Sequence, residues 1–338
     1  MREGNTVFGR LPSGETVERL TLRGGGLTAR ILTFGAVIQD LRLDGHAPPL
    51  VLGLNTLEDY LVHSPYFGAT PGRCSNRIAG GRFTIDGKAY QLELNENGVT
   101  HLHGGENGIA RRNWTIAAQT DNAVTLTVTD PDGQAGYPGA CTTTCTYSLE
   151  DGGVLSVTYD SESDKPTPCN ICQHSYFNLD GAPDALDHEI EIPADHYIPT
   201  DALQIPTGEV LPVEGTVFDL RSMTPLRRQT EGDRVLYDHT FPLSLTRTPK
   251  RLAARVRSHA SGVTLEVRTG EPGMHLYTGF KMDLAVPGLE GRRYGPFAGF
   301  CLETQTWPDA INHPNFPDAV LRPGKVLRQE TDYIFRKG

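Results

Sequence analysis

The pattern of apolar residues constrains this 338-residue chain more than any other feature. They recur at every second position in short runs and almost nowhere at helical spacing. "TLTVTD" from Thr125, "VLSVTYD" from Val154 and "VTLEVRTG" from Val263 are examples, and their Thr, Val and Tyr content suits a pleated surface. Asp-Gly pairs separate such runs. "IDGKAY" at Ile85 lies between "GRFTI" and "YQLEL" and predicts a hairpin; "LDGHA" at Leu43 and "EDGGV" at Glu150 read the same way. Helix signals are confined to "NTLEDYLVH", Asn55 to His63, with Asn55 or Thr56 as cap, and a short piece near "SMTPLRR". Turn signals run from end to end, without a repeat, a linker or a shift in composition. The expectation is one all-β domain over residues 1–338, a sandwich of large antiparallel sheets with few short helices.

Composition excludes several function classes. A net charge of −10, with basic residues scattered, lacks the cationic footprint for nucleic acid and offers no attraction to anionic membrane surfaces. "MREGNTVFGRLPSGE" has no apolar leader core, and no run of about 18 apolar residues predicts a membrane span. Six cysteines are too sparse for a disulfide scaffold, so free thiols in a reducing cytoplasm are expected.

Four stretches carry candidate chemistry. In "CLETQTWPDAIN", Glu303 follows the apolar approach "FAGFCL", so its carboxylate is either functional or held in a salt bridge at a strand end. In "THLHGGENG", His101 and His103 share a face if the strand is extended, which leaves a metal-binding pair or solvent-facing histidines open. Gly104 and Gly105 then permit a sharp turn. "PGRCSNRIAGGRF" has loop composition, with Arg73, Asn76 and Arg77 able to grip hydroxyls. In "CNICQHSYFNL", alternation puts Asn170, Cys172, His174 and Tyr176 on one face. Cys169 and Cys172 are thereby split, and no second zinc half-site exists, so no metal site is expected.

Taken together, the stretches resemble the aldose 1-epimerases, the galactose mutarotases. The resemblance runs through "TFGAVIQDL" at Thr33, "NRIAGG" at Asn76, "LHGG" at Leu102, "HSYFNL" at His174 and "DHTF" at Asp238. It continues through "EPGMHLYTG" at Glu271, "LETQTWPDAIN" at Leu302 and "LRPGKV" at Leu321. It implies a β-supersandwich with a sugar cleft on one sheet, interconversion of the anomers of a free aldose, and no cofactor. It implies His174 as general acid and Glu303 as general base. Asn76, Arg77, His103, Tyr176, Asp238 and His275 would line the sugar site. The partner is then a small monosaccharide, handled by a monomer or homodimer. His275 stands where the family usually has glutamine, Phe280 where it has asparagine, and Cys172 and Gln173 where threonine and asparagine are usual. The first two departures bear on sugar selectivity; Cys172 is expected to be an ordinary strand residue. Opening a cyclic hemiacetal moves one proton from the C1 hydroxyl and one onto the ring oxygen. Activity is therefore expected to fall on both acid and alkaline limbs. A sugar-phosphate epimerase would need an added basic cluster, a glycosidase two carboxylates, and a binding module neither His174 nor Glu303.

Overall fold

The computed structural model describes residues 4–64, 66–230 and 233–338. Nine antiparallel strands make its largest sheet. Across it run Thr224–Pro225, Glu189–Glu191, Arg251–Arg257, Val263–Thr269, Leu327–Lys337, Val154–Ser163, Cys141–Glu150, Ala123–Asp130 and Thr115–Gln119. The three alternating runs read from the sequence are strands of this sheet. In Val154–Ser163, Leu155, Val157 and Tyr159 are buried while the residues between them are half-buried.

A four-stranded sheet packs on it, in the order Tyr176–Phe177, Phe300–Gln305, Gly273–Tyr277 and Asp238–Pro242. Its period of two decides the site. Met274, Leu276, Phe300, Leu302 and Phe241 point into a core shared with Leu265, Val267, Tyr333 and Phe335 of the larger sheet. Each such side chain contributes about 1.5–3 kcal/mol by burial. The Thr304 and Thr331 hydroxyls meet at 2.6 Å across the layers, and Tyr333 Oη donates to the Leu302 carbonyl at 3.3 Å. The alternate residues, His275, Tyr277, Cys301 and Glu303, must then face the other way. A further four-stranded sheet, Thr6–Arg10, Thr16–Gly24, Leu27–Leu32 and Ile38–Leu43, adds Leu20, Leu22 and Ile31 to the same core.

The turn chemistry is local and legible. Arg82–Ile85 and Lys88–Gln91 are joined through Asp86 at φ 51° and Gly87 at φ 78°, the two positive values that a tight hairpin requires. Gly152 and Gly153 turn Cys141–Glu150 into Val154–Ser163. The Leu43 stretch turns at Gly45 but forms no hairpin, because the chain leaves the sheet after one backbone bond from Leu50 to Leu41. The helix Leu57–His63 forms where expected, with the Thr56 hydroxyl accepting from the Asp59 N–H at 3.1 Å. The "SMTPLRR" stretch is not helical. Thr224–Pro225 pairs with Glu189–Glu191 as an edge strand, the place where a proline's missing N–H is tolerated.

Among the described residues, no helix is long and apolar enough to cross a membrane. The six cysteines are free and buried.

Candidate active site

The polar face of the four-stranded sheet gathers the site. Register places His275 opposite Glu303, Thr240 opposite His275, and Tyr176 opposite Cys301. His174 lies two residues before Tyr176, held by backbone bonds from its N–H to the Ala69 carbonyl and from the Gly68 N–H to its own carbonyl. Its Nε2 is 3.7 Å from Glu303 Oε1, and both side chains are almost wholly buried, at 5% and 2% exposure. Glu303 Oε2 accepts the Cys172 S–H at 3.4 Å. No lysine or arginine is ion-paired with Glu303 among the described residues, so the strand-end salt bridge is not what holds it.

Two loops close the site from the side. Arg77 pairs in register with Leu102, and Ile78 with His101. Beyond this short ladder His103 adopts φ 51° and swings towards His174, their ring centroids 5.2 Å apart. Gly104 makes the turn possible: a Cβ there would sit 1.7 Å from the Gly72 carbonyl oxygen. The Asn76 N–H donates to His103 Nδ1 at 3.1 Å, which leaves the proton of a neutral ring on Nε2. Burial pulls the His103 pKa well below its usual value, and the neighbouring His174, Arg77 and His275 act in the same direction. His103 is thus a neutral donor facing His174.

At the far end lies a chain of charges. Arg77 forms a bidentate pair with Glu96, both bonds 2.7 Å, and gives a further bond to Gln204 at 3.0 Å. Gln204 also donates to Asp238 and accepts from Lys281. Asp238 Oδ1 receives His275 Nε2 at 2.9 Å, while His275 Nδ1 lies 2.9 Å from the Thr240 hydroxyl. Burial pulls the His275 pKa down, but the bond to Asp238 and the charges of Glu303 and Asp238 outweigh it and raise the pKa. Burial pushes Asp238 up, but His275, Arg77 and Lys281 hold it below the usual carboxylate range. Each group thus favours the charged form of the other.

This geometry can be set beside known proteins. A sequence profile described as aldose 1-epimerase matches residues 18–333. The galactose mutarotase of Rattus norvegicus is 45% identical over 337 residues, 98% of this chain and 97% of that protein. The aldose 1-epimerase of Escherichia coli (strain K12) is 35% identical over 340 residues, 96% of each. The crystal structure of an aldose epimerase homologue from C. elegans superposes with a TM-score of 0.89 at 31% identity, covering 94% of this chain and 98% of that one.

The chain belongs to the aldose 1-epimerase family.

In this aldose 1-epimerase family member, the eight residues that the family resemblance pointed to lie in one connected cluster. Several details differ from expectation. His101 does not pair with His103. Its Nδ1 meets the Glu93 carbonyl and its Nε2 the Tyr137 hydroxyl, both at 2.7 Å, so it is a structural residue. Arg73 grips no ligand-facing space. It is buried on Asp130, the Pro138 carbonyl and the Thr167 hydroxyl. Asp238, expected among the residues lining the sugar site, is engaged by His275 and Gln204, and His275 has both ring nitrogens committed. Cys172 is not a bland strand residue, since it touches Glu303. The split of the cysteines does hold: Cys169 lies against Cys141 in the core. Sequence reasoning also missed Tyr66, whose ring lies 4.6 Å from His103 and 5.9 Å from His174, and Glu96 and Gln204. None of these three carries a sequence signal of its own, because their roles come from partners distant in the chain.

Proposed function

We propose that this member of the aldose 1-epimerase family interconverts the α and β anomers of a free aldose, galactose or glucose, with Glu303 as general base and His174 as general acid. The observation that carries the reading is the 3.7 Å separation of His174 Nε2 and Glu303 Oε1. The two oxygens that exchange protons in a hemiacetal are bonded to one carbon and lie closer together than that. Each group can therefore reach its own oxygen within hydrogen-bond distance. Glycosidases need two carboxylates about 5–9.5 Å apart, with room for a bond or a water between them. Here the partner is an imidazole.

Glu303 takes the C1 hydroxyl proton while His174 protonates the ring oxygen, and the ring opens. The aldehyde rotates about C1–C2. Reclosure on the opposite face returns both protons, with Glu303 as acid and His174 as base. His103, with its proton on Nε2, and Arg77 are placed to donate to sugar oxygens. The Asp238–His275 pair and Asn76 hold the remaining hydroxyls. Tyr176, its ring 5.2 Å from His174, forms an apolar wall. The charge of Arg77 is already matched by Glu96, which favours a neutral sugar over a phosphorylated one.

One domain, residues 1–338, carries the activity in this reading, since strands from Thr115 to Lys337 share one sheet. Six free thiols fit a reducing cytoplasm.

Polarimetry on freshly dissolved galactose and glucose tests the proposal. The protein accelerates mutarotation, and His174→Gln lowers kcat by about 10²–10⁴. Tight sugar binding in a calorimeter with no acceleration would overturn it in favour of a binding protein.

A further inference from the structure

Beside the proposed acid and base lies a thiol, Cys301, that the proton-transfer chemistry does not use, and the three side chains form a donor set. One ligating atom from each of His174, Cys301 and Glu303 lies within 4.8 Å of the other two. His174 Nδ1 is 3.6 Å from Cys301 Sγ, and Nε2 is 3.7 Å from Glu303 Oε1. Cys301 and Glu303 are two residues apart on one strand and so share a face of the sheet. A second thiol, Cys172, lies 3.4 Å from Glu303 Oε2.

We infer that His174, Cys301 and Glu303 form an inhibitory site for a thiophilic divalent cation, Zn²⁺, which occupies the acid–base pair and excludes the sugar.

Zn²⁺ bonds sulfur at about 2.3 Å and nitrogen or oxygen at about 2.0–2.2 Å, which sets neighbouring ligand atoms roughly 3.5 Å apart in a tetrahedron. Reaching this spacing requires side-chain rotation that turns one nitrogen of the His174 ring towards both Cys301 and Glu303, because the two contacts above use different ring nitrogens. A set of imidazole, thiolate and carboxylate selects Zn²⁺ over Mg²⁺ or Ca²⁺, which take oxygen ligands. Electrostatics agree, because Glu303 has no lysine or arginine counter-ion among the described residues. His275 and Arg77, which also face this end of the site, are paired with Asp238 and Glu96. Cys172, which stands at a position where threonine is usual, adds a sulfur beside the carboxylate. Binding exchanges waters on the cation for the Cys301 sulfur, a His174 nitrogen and a Glu303 oxygen, and releases to solvent the Cys301 thiol proton and any proton on the ligating His174 nitrogen, with no change of oxidation state.

That occupancy stops the reaction rests on the roles proposed above for His174 and Glu303; the occupancy itself does not. The test therefore reads binding and activity separately. Titration of the intact protein with Co²⁺ is expected to give a thiolate-to-cobalt absorption band that saturates at one equivalent and is displaced by Zn²⁺. Cys301→Ser and Cys301→Ala, checked for folding by circular dichroism, are expected to abolish it. X-ray absorption of the Zn²⁺-loaded protein, which needs no variant, is expected to show sulfur together with nitrogen and oxygen ligands. In polarimetry, Zn²⁺ slows mutarotation and a chelator restores it. Cys301→Ser shifts the inhibitory Zn²⁺ concentration upwards by at least the roughly 10–100-fold that loss of an outer-shell partner costs. A shell of nitrogen and oxygen only, or a band that survives both Cys301 variants, overturns the site. Zn²⁺ inhibition equal in parent and Cys301→Ser overturns the inhibitory role. A Cys301-dependent band in a protein that never accelerates mutarotation leaves the metal site standing and refutes the catalytic reading instead.

Discussion

Replacing Glu303 with glutamine exchanges one oxygen for an amide nitrogen and keeps the volume. In the parent the carboxylate accepts from Cys172 at 3.4 Å and faces His174 Nε2 at 3.7 Å, and it is 2% exposed. The amide packs in the same space but cannot take the C1 hydroxyl proton. A positioned acid–base group contributes about 10²–10⁴-fold, or about 3–5 kcal/mol of barrier. The same interaction is lost from kcat and from kcat/KM, so both fall together and KM stays within a few-fold. The unfolding midpoint of the variant checks that the loss is one of catalysis and not of folding. Polarimetry across a range of sugar concentrations gives the kinetic constants, and thermal unfolding by circular dichroism gives the midpoint. A glutamine variant within about threefold of the parent kcat would refute the assignment of the base.

Arg73→Ala strips the buried Asp130 of its 3.0 Å partner while Arg112 remains at 3.2 Å, so a loss near the low end of the buried-pair range, about 3 kcal/mol, is expected in urea unfolding. The folded variant should keep its kcat, because Arg73 faces Asp130, away from the sugar site. His101 has its pKa lowered to about 4 by burial, against a hydrogen bond to the Glu93 carbonyl. Its contribution is full above the usual value of about 6.5 and is lost as pH falls towards 4, by up to about 1.4 kcal/mol per pH unit. Urea midpoints measured over that window should fall less steeply in His101→Gln. The His275 pKa is raised, so the Asp238–His275 pair stabilises fully below about pH 6.5 and weakens as pH rises through the folded value. His275→Gln should flatten the alkaline decline in both urea midpoint and sugar affinity; an unchanged slope would show that the pair carries no charge.

Much of this protein was legible without a structure because its signals are local. Alternation at Val154 and Val263 sets which side chains share a face, and a strand need only find any partner to use it. Asp86-Gly87 and Thr56 encode a turn and a helix cap through backbone preferences within a few residues. The ordered motifs around His174 and Glu303 carried the family, and with it the two residues proposed here as acid and base. The structure changed the readings that depend on partners far along the chain. Cys172 meets Glu303 across 131 residues, Arg73 meets Asp130 across 57, and His275 meets Asp238 across 37. His101 and His103, expected on one face, part company because Gly72 and Asn76, brought in from another loop, turn the chain at His103. "SMTPLRR" became an edge strand because Glu189–Glu191 was there to pair with it. Local sequence specifies backbone dihedrals and faces; which charged or polar groups then meet is decided by sheet register and loop closure. That is why the proposed acid and base could be named from the chain alone, while the thiols, carboxylates and imidazole around them became visible only in three dimensions.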